Sequence, residues 1–434
     1  MIPKSFHFLM QLILAAIIHK GCGLILPSIN DESCSVRLVE SIPENMTYPH
    51  SYVDNMKTFD WWRKLLLNAE RSVKVTAFYW TLSGKDLNIT DESTKQGEEI
   101  FALFKSLPSR GVELKIAQSG AEREISNLDE IKAAGGKVSY VDMNKIYGSG
   151  VLHNKLWIID GRHGYIGSAN MDFRSLTQVK ELGLSFENCP QIMDDLDKIF
   201  EAYWLVGKMN NTIPKVWPTD LVTNYNMTNV MNININGKPA NLFLTMSPPS
   251  LRPPGRTNDL DGLLNVIESA KEFVYISVMT YAPEIIMYGT NKVTTQFWPV
   301  IDDALRTAAL DRQIEVRLLI SHWRYTDKSQ LNYLESLKSL SGIKGSKLRV
   351  RNFIVPAYTE FQKKLDHARV NHNKYMVTDN TVFIGTSNWS GDYFLTTGGT
   401  SFISYDDVNS TDTIREKAVE IFKRDWNSEY SFEL

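Results

Sequence analysis

His153, Lys155 and Asp160 stand in the order His-x-Lys-x4-Asp, and the same order returns as His372, Lys374 and Asp379. Each copy runs on into a glycine-led turn ending in asparagine, Gly167 to Asn170 and Gly385 to Asn388. One such pattern could arise by accident, but two with matching turns point to a duplicated site. The residue types suit a phosphodiester: lysine supplies positive charge and asparagine supplies N–H donors to developing oxyanions. A neutral imidazole from one copy can attack phosphorus and form a phosphohistidine, while a protonated imidazole from the other gives its proton to the departing oxygen. Water, activated by the second histidine, then cleaves the intermediate. No His-Glu-x-x-His or paired Cys-x-x-Cys spacing marks a metal site, so no metal and no cofactor are expected.

The elements that must carry these groups can be read from their spacing. His153 and Lys155 lie two apart in a β-prone run, residues 151–159, so both are expected on one face of a strand, and the same holds for His372 and Lys374. Asp160 and Asp379 fall at odd spacing beyond the run and are expected to support rather than react. Glu181 stands eleven residues beyond Asn170, whereas Gly399 stands at the matching place beyond Asn388. A carboxylate that accepts a hydrogen bond from one ring nitrogen orients an imidazole and fixes its tautomer. Glu181 is therefore expected behind His153, making His153 the nucleophile and His372 the acid. Phe173, Trp389 and Tyr393 follow the two turns and are the expected base-stacking or substrate-binding aromatics. Phe78 and Tyr79 belong to the wider set of aromatics that can stack on bases, most of which are expected to be core or rim packing.

The duplication reaches beyond the motifs. Residues 69–78 resemble 270–279, residues 110–117 resemble 312–319, and residues 199–204 resemble 421–426, in the same order in both halves. Helical stretches alternate with short β-rich runs, which predicts α/β architecture with largely parallel strands. Residues 222–255, rich in Asn and Pro, are the expected junction. The chain thus divides into residues 1–23, 24–235 as the first half and 236–434 as the second, the halves packed into one body around one shared site.

A chain of 434 residues with a formal charge of -3 can bury a large core and is no general basic coat for nucleic acid, so any anionic substrate must be recognised locally. Residues 1–23 combine Lys4, an apolar run and small residues around Gly23, the pattern of a cleaved signal peptide, with a short uncleaved anchor as the alternative. Sequons at Asn45, Asn88, Asn210, Asn226 and Asn409 agree with a secretory route. Without Cys22, the cysteines Cys34 and Cys189 form an even pair, open to a disulfide or to two buried thiols.

These residues resemble the phospholipase D superfamily, whose signature is a pair of His-x-Lys-x4-Asp motifs with Gly-Ser-x-Asn turns. The stretches 150–155, 167–183 and 369–378 are similar to the animal branch of phospholipase D family members 3 and 4, which poxvirus nicking-joining proteins share. The resemblance implies two α/β halves, a shared site and a phosphohistidine intermediate, with roles on His153, Lys155, Asn170, Glu181, His372, Lys374 and Asn388. For this branch it implies 5′-end exonuclease action on single-stranded DNA or RNA in lysosomes, releasing 3′-phosphate nucleotides. Phospholipid, for a phospholipase or transphosphatidylase, is the alternative substrate, and a silent envelope-type protein is a third reading that the two complete motifs disfavour. The short leader makes secretion or soluble delivery to the lysosome the expected location, with a type II membrane anchor as the alternative. A homodimer is compatible with a chain that already holds both halves of its site.

Overall fold

The computed structural model describes residues 33–123, 125–288, 293–406 and 410–434. The expected leader and the Asn409 sequon lie outside them. Two mixed sheets dominate. In the first, the strands run Met56–Lys57, Ser35–Ser41, Glu181–Glu187, His163–Gly167, Leu156–Ile159, Ser72–Ala77, Glu113–Ser119, Lys137–Val141. In the second, a main path of nine strands begins with Met231–Ile235, Lys238–Met246, Ser401–Tyr405, Thr381–Gly385 and Lys374–Thr378, then continues through Phe273–Val278, Glu315–Ser321, Leu348–Phe353 and Ser431–Glu433.

Seven consecutive strands correspond between the sheets, and so do their directions. From Ser35–Ser41 and from Lys238–Met246, four antiparallel pairings are followed by two parallel ones. The expectation of largely parallel strands is corrected. Each motif strand folds straight back through a tight turn into its neighbour, and such a turn can only join antiparallel strands; a parallel pair needs a crossover helix.

The junction has a structure of its own. Residues 222–255 hold the first two strands of the second sheet, and a division at 235/236 cuts their hairpin, which pairs Ile235 with Lys238. Its turn residues Asn236 and Gly237 have φ of 54° and 78°, the pair of positive angles that a two-residue hairpin turn requires. The alternation of Asn and Ile before Asn-Gly was the sequence signal for it.

Burial on both faces explains why the motif strands are short apolar runs. Leu156 and Ile158 join a core shared by both sheets and the helices Pro190–Lys208 and Ile414–Trp426, whereas Trp157 and Ile159 pack outward beneath Thr58–Asn68 and Lys95–Ser106. The second half repeats the division, with Tyr375 and Val377 in the shared core and Met376 beneath Asp259–Ser269 and Val300–Leu310. Residues Cys34–Leu434 form one compact unit. Among the described residues no helix is long and apolar enough to cross a membrane.

Cys34 and Cys189 form a disulfide. It links the start of the first sheet to the residue before the helix Pro190–Lys208 and closes a span of 155 residues, which restricts the unfolded chain. Replacing both cysteines by serine is expected to lower the unfolding free energy by about 4–5 kcal/mol, read from urea unfolding curves.

Candidate active site

The two halves meet through a reciprocal pair of backbone contacts. His153 N–H donates to Gly398 O at 2.8 Å, and His372 N–H donates to Lys180 O at 2.7 Å. Gly398 N–H returns a bond to Val151 O, and Lys180 N–H to Val370 O. Both histidines therefore sit just before their strands, Leu156–Ile159 and Lys374–Thr378, rather than within them. Each extended segment borrows its hydrogen-bond partner from the opposite half. Lys155 Nζ donates to His153 O and Lys374 Nζ to His372 O, so each lysine braces the carbonyl of its own histidine.

A cavity of about 370 Å³ opens at this seam, lined by His153, Asn170, Glu181, His372, Asn388 and Tyr393 among others. The imidazole centroids stand 6.5 Å apart, close enough for both rings to reach one phosphate held between them. Asn170 Nδ2 donates to Tyr79 Oη at 3.3 Å and Asn388 Nδ2 to Tyr393 Oη at 3.0 Å, leaving each amide a second N–H. A larger surface cavity, about 870 Å³ and lined by Tyr48, Tyr52, Lys423 and Tyr430, holds none of the motif residues.

Glu181 lies behind the other histidine from the one expected. Its Oε2 accepts from His372 Nδ1 at 2.8 Å, and its Oε1 accepts from Ser175 Oγ at 2.8 Å. His153 Nδ1 instead donates to the carbonyl of Thr386 at 2.8 Å. The cross-half pairing is the reason: Glu181 follows Lys180, the residue that holds the His372 backbone, so its side chain reaches across the seam. Gly399 follows Gly398 in the same way but carries no side chain, and a Cβ there would stand 2.3 Å from Ser387 Oγ and 2.9 Å from Ser247 Oγ, so these hydroxyls occupy the place of a matching carboxylate.

These surroundings separate the titrations. Burial, then the charges of Lys155, Lys374 and His372, push the His153 imidazole well below its ordinary range. Burial also lowers His372, with Glu181 opposing the shift. Burial resists ionisation of Glu181, but the charge and hydrogen bond of His372, with Lys374, outweigh it and hold the carboxyl low. Burial brings Lys374 down to about 7 against the pull of Glu181. Lys155 is driven well down by burial and by Lys374.

Asp160 and Asp379 are not at the site. Asp160 accepts from the N–H groups of Glu70, Arg71 and Ser72, and Asp379 from those of Lys271 and Glu272. Each clamps the start of the neighbouring strand, at the end of the motif strand opposite its histidine, seven residues on and so roughly 23 Å of extended backbone away at ~3.3 Å per residue. Two of the three expected substrate aromatics are corrected as well. Phe173 is fully buried against Leu365 and Ala368, and Trp389 is buried beside Phe383. Their strand and helix neighbours cover them on every side, whereas Tyr393 does line the cavity. Phe78 and Tyr79, of the wider aromatic set, line it too, as do Asp172, Arg174, Trp323 and His367. Asp172 and Arg174 fall within the stretch 167–183 that carried the family resemblance; Trp323 has no sequence signal of its own. Among the sequons, Asn45, Asn88 and Asn210 are exposed. Asn226 is half-buried, and its amide is engaged with Gly255 O and the Thr228 hydroxyl.

Behind the site lies a buried charge network. Lys180 Nζ pairs with Asp425 at 2.7 Å and lies 3.8 Å from Glu40, while Arg424 bonds both Glu40 and Asp425. Burial opposes the charge on Glu40, yet Arg424 and Lys180 hold its carboxyl at about 2. Because that value lies below the ordinary one, the contribution of Glu40 to stability is present above about pH 4.5 and lost only as pH falls toward about 2. The network therefore survives mild acid.

A duplicated α/β half with two His-x-Lys-x4-Asp motifs meeting at one seam defines a phospholipase D-type architecture. The family model described as PLD3/4, PLD-like domain matches residues 51–358, and the chain belongs to that family. It is 44% identical over 406 residues to the 5'-3' exonuclease PLD3 of Xenopus laevis, covering 92% of this chain and 81% of that protein. It is 40% identical over 413 residues to the mouse 5'-3' exonuclease PLD4, covering 93% and 80%. The crystal structure of phosphatidylserine synthase from Haemophilus influenzae Rd KW20 has a similar fold, with a TM-score of 0.55 and 12% identity over 87% of this chain and 85% of that one.

Lys180→Met would leave Arg424 as the one cation of the network against Glu40 and Asp425. It is expected to destabilise the protein by about 3–5 kcal/mol, measured by denaturant unfolding. A loss below about 1 kcal/mol would mean that the network does not anchor the Lys180–Glu181 backbone.

Proposed function

We propose that this protein is a phosphodiesterase that shortens single-stranded DNA or RNA from a free 5′ end through a phosphohistidine on His153. The observation that carries the mechanism is the unequal pairing of the two Nδ1 atoms. His153 Nδ1–H donates to a carbonyl, which leaves Nε2 with its lone pair as the nucleophile. His372 Nδ1–H faces the Glu181 carboxylate, which favours its imidazolium, so its Nε2 carries the proton for the leaving group. The assignment is the one expected from sequence, on the opposite ground: the carboxylate supports the acid, not the nucleophile.

In the first step the His153 Nε2–P bond forms, the P–O5′ bond breaks and the His372 proton goes to the departing oxygen. Water then attacks phosphorus, the P–N bond breaks, His372 takes the water proton, and a 3′-phosphate nucleotide leaves. Asn170 and Asn388 donate to the non-bridging oxygens, and Lys155 and Lys374 add positive charge beside them. The names of the relatives support the polarity. Delivery to the lysosome lumen, or secretion, belongs to the same proposal: a disulfide and exposed sequons suit an oxidising route.

End-blocked oligonucleotides test the polarity. A 5′ block is expected to stop shortening and a 3′ block to leave it intact; the reverse result, or turnover of labelled phospholipid alone, would sink the reading. The histidine roles separate with a nucleoside 3′-(p-nitrophenyl) phosphate, whose leaving group needs no proton. His372→Ala is expected to slow oligonucleotide cleavage by about 100–10,000-fold, whereas with this substrate it should release p-nitrophenol in a burst of about one equivalent per enzyme and then stall at the phosphohistidine, whose hydrolysis also needs His372; His153→Ala should abolish both.

Glu181→Gln removes the group that favours a proton on His372, so His372 would deprotonate at lower pH. Because the reaction needs that proton, the high-pH limb of kcat/KM is expected to move to lower pH while the low-pH limb, set by His153, stays in place. An unmoved high-pH limb would contradict the assignment.

A further inference from the structure

The cavity opens against an aromatic cluster that the two-step chemistry leaves unused. Trp323 and His367 line the cavity. Tyr325 stacks on the His367 ring, with centroids 4.8 Å apart and planes 19° from parallel. Trp323 meets Tyr325 edge-on at 4.9 Å and stands 6.2 Å from His367. These rings are not core: Tyr325 is 47% exposed, His367 is exposed and Trp323 is half-buried.

Two short segments hold the cluster, the loop after the strand Glu315–Ser321 and the stretch leading into His372. Ser321 Oγ accepts the Asn371 N–H at 3.2 Å. Asp366 accepts from the Tyr325 hydroxyl at 2.8 Å and from Arg324 at 3.1 Å. His367 has a φ of 53°, the left-handed region that a residue with a Cβ enters at a cost. An exposed ring is thus held against Tyr325 in an unfavourable backbone conformation, with no core to justify it.

We propose that Trp323, His367 and Tyr325 form a stacking platform for the base on the leaving side of the scissile phosphate, the second nucleotide of the strand; this rests on the reading of the protein as a nuclease acting from the 5′ end. In that reaction His372 protonates the 5′ oxygen of the second nucleotide. The platform shares a segment with His372, and His367 precedes it by five residues, so the base attached to that oxygen meets these rings. The other side of the site is different: Phe78 and Tyr393 stand 5.3 and 5.1 Å from the His153 ring and flank the nucleotide that becomes attached there. A flat ring face rimmed by Arg324 and Asp366 suits a heteroaromatic plane better than an acyl chain. It would accept any base, because every base has a π face.

The test compares 5′-hydroxyl oligonucleotides that are intact or abasic at the second nucleotide, using wild type, His367→Asn, Trp323→Leu and Trp323→Phe. Asparagine tolerates the left-handed backbone while removing the ring. Wild type is expected to favour the intact strand by about tenfold in kcat/KM. His367→Asn and Trp323→Leu should erode that preference several-fold by slowing the intact strand alone, and Trp323→Phe, which keeps a ring, should retain it. If wild type shortens both strands equally, or if the variants slow both strands alike, the platform is wrong while cleavage from the 5′ end stands. If wild type shortens no 5′-hydroxyl strand at all, the nuclease reading fails and the platform with it.

Discussion

The exchange of backbone hydrogen bonds across the seam is the constraint on which the rest of the site depends. His153 and His372 each donate their N–H to a residue of the opposite half that lies just ahead of a strand, Gly398 before Ser401–Tyr405 and Lys180 before Glu181–Glu187. A buried N–H that loses its partner costs roughly 1–3 kcal/mol, so neither half can present its histidine properly without the other. One chain must therefore carry both copies in a fixed relation. The same exchange brings two imidazoles to 6.5 Å without any flexible side chain being asked to bridge the distance.

That constraint also converts a near-symmetric repeat into an unsymmetric site. Whatever side chain follows Lys180 or Gly398 must point at the histidine of the other half. At 181 it is a glutamate, and at 399 it is a glycine whose Cβ position is crowded by the hydroxyls of Ser387 and Ser247. Six residues earlier, the same turn position is Ser175 in one half, bonded to Glu181, and Tyr393 in the other, bonded to Asn388. One duplicated backbone thus supports two different proton affinities, which is what a nucleophile and an acid require.

Much of this was legible in the amino-acid order. The duplication, the α/β class and the motif set of His153, Lys155, Asn170, Glu181, His372, Lys374 and Asn388 follow from residue types at repeated spacings. What could not be read was anything decided by the pairing of the halves. Glu181 reads as a partner of His153 because the two share a half, and only the seam shows that it serves His372. The histidines read as strand residues because an extended segment has the same periodicity whether its partner lies beside it or across the interface. Phe173 and Trp389 read as accessible because they follow the turns, but tertiary cover decides burial. The parallel-strand expectation failed for a different reason: alternation of helix and strand reports crossovers, while the tight turn after Asp160 was there to be weighed and implies an antiparallel return.

Charge separates the two buried clusters that flank the Lys180–Glu181 backbone. On one side, Lys180 and Arg424 balance Glu40 and Asp425, four groups that desolvate together and neutralise one another. On the other side, Lys155, Lys374 and the two histidines face Glu181 alone, and the lysines and histidines are all held below their ordinary proton affinities. The first arrangement is satisfied as it stands and serves rigidity. The second is short of negative charge in a low-dielectric pocket, where Coulomb interactions are strongest. A phosphodiester anion supplies what is missing, so its arrival should raise the lysine affinities for protons as it is bound. The excess that disfavours the empty pocket is the same excess that stabilises charge building on the non-bridging oxygens during transfer.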